Sequence, residues 1–290
     1  VGKLEKSGNA EPYDLINKVP HVERKTNFSK QHNVKIDNDL YVNADNDEEA
    51  WLAWNMVNGN EDIYIGDFPE LTDPYLLSDT IYKVYYQNPY IMGVYSFSCD
   101  YSNMVLKVDY LYKDSKLDSM QDKVDEESED ILNDIIDKDM SDEDKIYAIY
   151  TWFEDNCEYD DEAYKDCADN KYMKQDSDKY EYAYNAYGAI VEHKALCQGY
   201  AAGFNLLCNK AGIRSELITG YMNGISPHAW NGVCIDDKWY QIDVTNNGKN
   251  SGVPFYLYEA NKSVAEEIGY SMGDRFTTDN ALSRYKEEDT

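Results

Sequence analysis

Basic residues are scarce in this chain of 290 residues, which has 27 Lys and Arg against 56 Asp and Glu and a formal net charge of −29. A surface of this sign repels the phosphate backbone of nucleic acids and disfavours anionic membranes, so we expect neither as a partner. No apolar run approaches the length of a membrane span. We interpret the acidity as a source of solubility, since 42% hydrophobic residues remain to build a core.

Cysteine is sparse as well, with six residues and no C-x-x-C pair. That number is too small for a disulfide scaffold in a chain of this length, and without such pairs a structural zinc site has no support. Cys157 and Cys167 flank a polar segment and could form a disulfide, but free thiols are the simpler expectation. We interpret all but one of the six as small buried hydrophobes, namely Cys99, Cys157, Cys167, Cys208 and Cys234.

Length and residue texture divide the chain into three segments. Residues 1–43 are polar and aperiodic, which predicts a partly extended lead. Residues 44–116 combine a helix pattern with strand-like residues, which predicts an N-terminal α+β region. Residues 117–290 are predicted to form a second, larger domain, which contains all the motifs analysed below.

The N-terminal region is predicted to be a small sheet with a covering helix. Acidic residues in a first turn, followed by tryptophan and leucine, predict a helix over Asp45–Val57. From Ile63 to Tyr112 the residues are those typical of strands. Within this stretch, Tyr90–Phe97 and Met104–Tyr112 are predicted to pair as a hairpin.

Two helices are predicted at the start of the larger domain. The first, over Leu117–Asp139, is charged and amphipathic. The second begins after Ser141, whose hydroxyl can cap it by accepting the backbone N–H of Asp144. Residues 159–184 are polar without a clear period, which predicts a long loop or insertion that shapes access to a site.

Cys197 is predicted to stand in the first turn of a further helix. Apolar residues follow it at helical spacing, and Gly212 ends the pattern as a C-terminal glycine. The unpaired N–H groups and the macrodipole of a helix start favour a thiolate at this position. Gly199 keeps the surroundings small, so that a substrate backbone could approach.

A hairpin after this helix brings a histidine and an aspartate together. Residues 229–235 and 238–245 read as its two strands, with Asp236-Asp237 as the turn. In that register His228 and Asp243 are diagonal neighbours on adjacent strands. Their backbones are about 7–8 Å apart, a gap that their side chains can bridge. A slip of one residue would place them on opposite faces. A cysteine, a histidine and an aspartate in this order can form a nucleophile, a base and an orienting carboxylate.

Several short motifs occur in order along residues 141–260. They are Tyr187-Gly188-Ala189, Cys197-Gln198-Gly199-Tyr200-Ala201, Gly212-Ile213, His228-Ala229-Trp230-Asn231, Trp239-Tyr240 and Asp243-Val244-Thr245. In these motifs the chain resembles the transglutaminase-like superfamily of cysteine enzymes. The resemblance implies an α+β, papain-like core in which the helix bearing the cysteine packs on an antiparallel sheet bearing the histidine and the aspartate. It also implies that Cys197 is the nucleophile, His228 the general base and acid, and Asp243 the group that orients the imidazole.

The resemblance implies acyl transfer on peptide or isopeptide carboxamides through a thioester, with hydrolysis as the expected outcome. Two alternatives stay open: a true transglutaminase that joins a glutamine carboxamide to an amine, and a surface recognition module that kept the fold without turnover. One departure from the family is Val244-Thr245-Asn246, where many members have Thr-Trp. That change removes an aromatic wall beside the site.

Other residues are candidates for supporting roles. The oxyanion needs donors, and we predict the backbone N–H of Cys197 together with Tyr187. Gln198 and Trp230 are candidates for contact with substrate, although both could simply pack. His193 lies in a charged turn and is predicted to be a surface residue.

Cofactors, partners and location follow from the same chemistry. No metal or organic cofactor is expected, because thiol acyl transfer uses protein groups, and no calcium-binding loop is recognisable. The expected partner is a peptide or protein substrate, with a cell-wall or surface peptide as one option. A start at Val1 with a polar lead suits a processed secreted protein or a trimmed chain. Loose similarity to bacterial, often surface-located members leads us to expect an extracellular or cell-surface location.

Overall fold

The computed structural model describes residues 40, 42–44, 46–169 and 178–273. The chain divides into two compact units, Val1–Ser119 and Met120–Thr290. The lead predicted for residues 1–43 lies almost wholly outside the described residues, and the predicted boundaries after 43 and 116 stay predictions. Within the described part of the chain, no helix is both long and apolar enough to cross a membrane.

Among its described residues, the first unit has an antiparallel three-stranded sheet and two helices of more than ten residues. The strand order is β1-β3-β2. Its elements are α1 (Asp47–Val57), β1 (Asp62–Tyr64), a 3-10 helix (Pro69–Thr72), α2 (Pro74–Gln87), β2 (Val94–Asp100), β3 (Val105–Tyr110) and the start of α3 (Asp114–Ile135).

Helix α1 begins two residues later than predicted. Asn46 caps it, because its Oδ1 atom accepts the backbone N–H of Glu49 at 2.9 Å. Trp51 and Leu52 are buried, as the pattern predicted, and Trp51 donates its indole N–H to the carbonyl of Tyr64 at 2.7 Å. The helix is therefore fastened to the end of β1.

The strand prediction for 63–112 is wrong over residues 74–87, which form helix α2. Asp73 caps this helix by accepting two backbone N–H groups, and Pro74 occupies its first turn. Leu77, Ile81 and Val84 are buried at helical spacing. The many tyrosine and β-branched residues of this segment favour a strand by composition. The Asp-Pro start and the helical spacing of its apolar residues favour a helix, which is what forms. The predicted hairpin is confirmed, because β2 and β3 pair antiparallel.

The second unit carries a four-stranded antiparallel sheet in the order β8-β7-β6-β9, with helix α7 packed on it. Ser141 caps α4 as predicted, accepting the N–H of Asp144 at 3.1 Å. The elements that follow α3 are α4 (Asp142–Asn156), β4 (Glu158–Tyr159), α5 (Asp161–Asp169), a 3-10 helix (Asp178–Tyr184), α6 (Ala186–Ile190), β5 (Lys194–Ala195), α7 (Cys197–Lys210), β6 (Ser215–Met222), β7 (Ser226–Ile235), β8 (Lys238–Ile242), α8 (Gly248–Ser251), α9 (Lys262–Glu267) and β9 (Tyr270–Met272).

The loop predicted over residues 159–184 is wrong where the structure describes it, because α5 and a 3-10 helix occupy much of the segment. Asp160 organises it from a fully buried position. Its carboxylate accepts the N–H of Ala163 at 3.0 Å and the hydroxyl of Tyr182 at 2.7 Å. The contact with Tyr182 joins residues distant in the chain, and such a contact leaves no periodic signal in the sequence.

An apolar core joins helices α4 and α7 to the sheet. Helix α4 contributes the face that the sequence predicted, and α7 contributes the stripe behind Cys197. The sheet adds the residues of β7 and β8 that face these helices. Among the fully buried members are Ile149, Phe153, Phe204, Leu207, Cys208, Val233 and Ile242. The core thus holds the start of α7 against the strands that carry the histidine.

A buried ion pair in the first unit predicts a large loss of stability. Lys83 Nζ lies 2.7 Å from Glu49 Oε1, and both side chains are almost completely buried. Lys83→Met removes this cation from beside the buried carboxylate, so we expect the free energy of unfolding to fall by about 3–5 kcal/mol. Chemical denaturation measures the change.

Lys107→Met is the matched control, because the Lys107–Asp62 pair is exposed. It should leave the free energy of unfolding nearly unchanged. Equal effects of the two substitutions would contradict the prediction.

Candidate active site

Helix α7 begins at Cys197, as predicted. Leu196 is its N-cap residue and provides no side-chain hydrogen bond to the first turn. At the other end Gly212 has a φ of +84°, the left-handed conformation that glycine adopts without strain. The thiol therefore stands where the N–H groups of a helix start have no intrahelical partner and the macrodipole favours negative charge.

Gly199 has a different role from the one predicted. A Cβ atom at this position would lie 2.5 Å from the carbonyl oxygen of Ala183 and 2.8 Å from the Cβ of Ala195. The missing side chain therefore makes room for the preceding chain to pack against α7. The expectation that it makes room for substrate is wrong, because the space is already occupied by protein.

The hairpin has the predicted register. Ile235 pairs with Lys238, so Asp236 and Asp237 form the turn, with φ values of +49° and +61°. Positive φ at both central residues is the requirement of a type I′ turn, whose twist matches that of the strands. Continuing the pairing toward the open end brings His228 and Asp243 into diagonal positions.

His228 links the other two members of the predicted triad. Its Nε2 atom lies 2.7 Å from Oδ2 of Asp243, whose side chain is completely buried. The side chain of Cys197 also hydrogen-bonds to His228. Because Nε2 is engaged by the carboxylate, Nδ1 is the nitrogen left for the thiol. The structure thus brings Cys197, His228 and Asp243 into one group.

Charges within the group shift both pKa values in opposite directions. Burial would lower the pKa of His228, but the charge and hydrogen bond of Asp243, followed by those of Cys197, outweigh it and raise the pKa to about 10. Burial would raise the pKa of Asp243, whereas His228, Tyr270 and the N–H of Thr245 hold it below its usual value. At neutral pH the pair is therefore an imidazolium and a carboxylate.

Asp243 receives hydrogen bonds at both carboxylate oxygens. Its Oδ1 atom accepts the backbone N–H of Thr245 at 2.9 Å and that of Asn246 at 3.3 Å. Its Oδ2 atom is 2.6 Å from the hydroxyl of Tyr270 and 2.8 Å from Nδ2 of Asn246, in addition to His228. These donors offset the cost of burying an ionised carboxylate.

Trp230 supports the histidine ring from within the core. The two rings stack with centroids 5.9 Å apart, and the indole N–H donates to Oε1 of Gln241 at 2.8 Å. Gly220 makes room for this ring, because a Cβ there would lie 2.7 Å from the indole. Since Trp230 is completely buried, the structure favours packing over the predicted contact with substrate.

The comparison with known families follows this geometry. The family model described as "Transglutaminase-like superfamily" matches residues 129–244, which include Cys197, His228 and Asp243. Residues 129–244 belong to the transglutaminase-like superfamily. The α+β, papain-like fold predicted from the sequence agrees with this match.

Curated relatives of this transglutaminase-like domain share about a quarter of its residues. "Kyphoscoliosis peptidase" of Mus musculus is 27% identical over 143 residues, which cover 45% of this chain and 20% of the relative. The Homo sapiens protein of that name is 26% identical over 128 residues, which cover 40% and 18%. The chain thus spans about a fifth of the length of these relatives. A solved structure described as a TGase has a TM-score of 0.39 and 19% identity, covering 63% of this chain and 51% of its own.

Tyr187 and Gln198 are the remaining predicted site residues of the transglutaminase-like domain. Tyr187 lies in α6, where its backbone N–H donates to Oδ1 of Asn185 at 3.0 Å, and its hydroxyl bonds to no described residue. Gln198 is the second residue of α7 and is half-buried. Their roles toward an oxyanion or a substrate stay predictions. His193 is exposed, as predicted, with its ring edge-on to Trp152.

Sequence reasoning missed two tyrosines at the site. Tyr270 donates to Asp243 from β9, far along the chain. Tyr159 lies opposite Ala195 in the parallel pairing of β4 with β5, and burial together with the charge of Cys197 raises its pKa. A three-residue and a two-residue strand carry no pattern that could have identified either tyrosine.

The six cysteines are free thiols, and Cys157 and Cys167 do not pair. Cys157 and Cys208 are buried as predicted, whereas Cys99, Cys167 and Cys234 are only half-buried. Within the described residues, no group of three or more His, Cys, Asp or Glu side chains is arranged to hold a metal ion.

The raised pKa predicts how the transglutaminase-like domain responds to pH. Folding stabilises the protonated form of His228. Its contribution to the free energy of unfolding is therefore complete below the ordinary pKa of 6.5 and is lost as the pH rises through about 10. An NMR titration of the imidazole should find it protonated at neutral pH. Asp243→Asn removes the neighbouring charge and should lower the pKa by about 1–3 units.

Asp237→Asn is the matched control, because it removes a charge at the hairpin turn while asparagine tolerates the same backbone conformation. It should leave the titration unchanged. A wild-type imidazole that titrates near 6.5 would contradict the prediction.

Proposed function

We propose that this protein is a thiol acyl-transfer enzyme that acts on peptide or isopeptide carboxamides through a Cys197–His228–Asp243 triad. The single observation that carries the proposal is the His228 ring, which bonds to a buried carboxylate on one side and to a thiol at a helix start on the other. Each part of this arrangement favours charge separation between sulfur and imidazole.

The first step is attack by sulfur. The raised pKa of His228 keeps the ring protonated at neutral pH, so that an imidazolium lies beside the sulfur of Cys197. The thiolate adds to the carbonyl carbon of the carboxamide and forms a C–S bond. The oxyanion is stabilised by the backbone N–H of Cys197 and one further donor, a predicted role of Tyr187. Loss of one such donor would raise the barrier by about 3–4 kcal/mol.

The second step releases the amine. His228 gives its proton to the leaving nitrogen as the C–N bond breaks, and the acyl group remains on Cys197 as a thioester. The neutral imidazole then accepts a proton from water, which attacks the thioester. A C–O bond forms, the C–S bond breaks, and the acid product leaves.

Asp243 acts through His228. Its Oδ2 atom holds the Nε2–H side of the ring, so Nδ1 faces the sulfur in both steps. Its negative charge stabilises the imidazolium before attack and again when the ring takes a proton from water.

Hydrolysis is the outcome that the relatives favour, because both are named peptidases. Transfer to an amine is the alternative that the family description favours. A recognition module without turnover is the third reading. For this chain the substrate is proposed as a peptide or protein, and the extracellular or cell-surface location also remains a proposal.

Selective alkylation tests whether the site is poised for chemistry. Iodoacetamide at neutral pH should modify Cys197 faster than the other half-buried thiols by on the order of tenfold, because the thiolate is the reactive form. His228→Ala should abolish this preference. Peptide mass spectrometry over a time course measures each cysteine separately.

His193→Ala is the control, because it removes an exposed histidine from the turn ahead of α7. It should leave the labelling pattern intact. Equal, slow labelling of Cys197 and the other cysteines in the wild type would favour the recognition module and refute the enzyme.

Product analysis separates hydrolysis from transfer. With a glutamine-containing protein and a fluorescent primary amine, a hydrolase should release free carboxylate and incorporate little amine. Mass spectrometry distinguishes cleavage, deamidation and amine adducts in one sample. Dominant amine incorporation that Cys197→Ala abolishes would overturn the hydrolytic assignment in favour of a transglutaminase.

A further inference from the structure

The Oδ2 atom of Asp243 is a shared acceptor. It binds Nε2 of His228 at 2.7 Å and the hydroxyl of Tyr270 at 2.6 Å. Tyr270 lies on β9, beyond the segment that the family match covers, and its side chain is buried. The hydrogen bond from Tyr270 therefore acts on the same carboxylate oxygen that orients the imidazole.

We propose that Tyr270, held by Asn246, is a positioning residue that fixes the Asp243 carboxylate and through it the His228 ring. This inference rests on the proposed function, since it assigns a role within that triad. Tyr270 touches neither substrate nor sulfur in this scheme. It acts on the direction in which Asp243 presents Oδ2.

The direction of the Tyr270 hydroxyl is set by its neighbour. Asn246 Nδ2 lies 3.0 Å from the Tyr270 oxygen and 2.8 Å from Oδ2 of Asp243. An amide nitrogen can only donate, so the tyrosine oxygen accepts from Asn246. Its single hydrogen is then free to point at Asp243. The three groups close a ring of hydrogen bonds around one carboxylate oxygen.

The backbone fixes where this hydroxyl can be. Strand β9 pairs antiparallel with β6, so that Tyr270 is opposite Met222 and Met272 opposite Gly220. On the other side β6 pairs Gly220 with His228. Tyr270 on β9 and His228 on β7 are thus both placed by pairing with β6, the strand that lies between them in the sheet.

Ring packing adds a second restraint. The Tyr270 ring meets Trp230 edge-on at 5.2 Å between centroids and lies 6.0 Å from the His228 ring. Trp230 in turn stacks on the His228 ring. The imidazole is therefore confined by two rings as well as by its bond to Asp243. The residues directly after Asp243 include no aromatic side chain, and Tyr270 on β9 supplies an aromatic ring beside the site instead.

Electrostatics agree with this geometry. Burial and the Asp243 charge raise the pKa of Tyr270, so it stays a neutral donor. The hydroxyl is also among the groups that hold the pKa of Asp243 below its usual value. The other titratable groups that interact with this cluster are Cys197, Tyr150 and Tyr256.

Tyr270→Phe tests the inference, because it removes the hydroxyl and keeps the ring. We expect alkylation of Cys197 at neutral pH to slow by about tenfold, since a misplaced ring no longer stabilises the thiolate. We also expect the acid limb of the rate–pH profile to move up by about half a unit, because Asp243 loses a donor to its charged form. Asn246→Ala should shift both readouts in the same direction.

Tyr256→Phe is the matched control. The centroids of the Tyr256 and Tyr270 rings are 6.3 Å apart, but the Tyr256 hydroxyl bonds to no described residue. It should leave the rate and the profile unchanged. Thermal unfolding of all variants reports any purely structural effect.

The outcomes separate the two proposals. Lack of selective labelling in the wild type refutes the enzyme, and the positioning role with it. Selective wild-type labelling with an unchanged rate and pH profile in Tyr270→Phe overturns the positioning role alone, even if the melting temperature falls. If Tyr270→Phe does not fold, Asn246→Ala decides by the same two readouts.

Discussion

The hydrogen bond between His228 and Asp243 is the interaction on which the rest of the site depends. It joins two residues at the open end of a hairpin, so it exists only in one strand register. The left-handed turn at Asp236-Asp237 selects that register at the other end. The backbone conformation of the turn thus fixes the pairing of the two strands, and this pairing fixes the position of the His228 ring.

A buried carboxylate imposes the next constraint. Asp243 is completely shielded from water, and its charge persists because donors surround it. Three of these donors belong to Thr245 and Asn246, which follow it in the chain, and one comes from β9. The sheet therefore serves the site in two ways, because it carries the histidine and also brings Tyr270 to the carboxylate.

Much of this architecture could be predicted from local sequence. The cap at Ser141, the start of α7 at Cys197 and the hairpin turn are short-range features, in which neighbouring residues determine the conformation. Helix α2 was missed because its tyrosines and β-branched residues favour a strand by composition. The function of Gly199 was misjudged because the atoms that surround it belong to residues earlier in the chain.

By itself, the sequence determined the identity of the three residues proposed for the site, their order and the register that pairs two of them. These properties depend on residue type and on spacing within a helix or a hairpin. The tertiary structure decided what surrounds them: the tyrosine on β9 that bonds to the carboxylate, the tyrosine on β4 that interacts electrostatically with the thiol, and the contact with the buried carboxylate that raises the pKa of the histidine to about 10. Such neighbours come from distant parts of the chain, and only the packing of strands and helices brings them together.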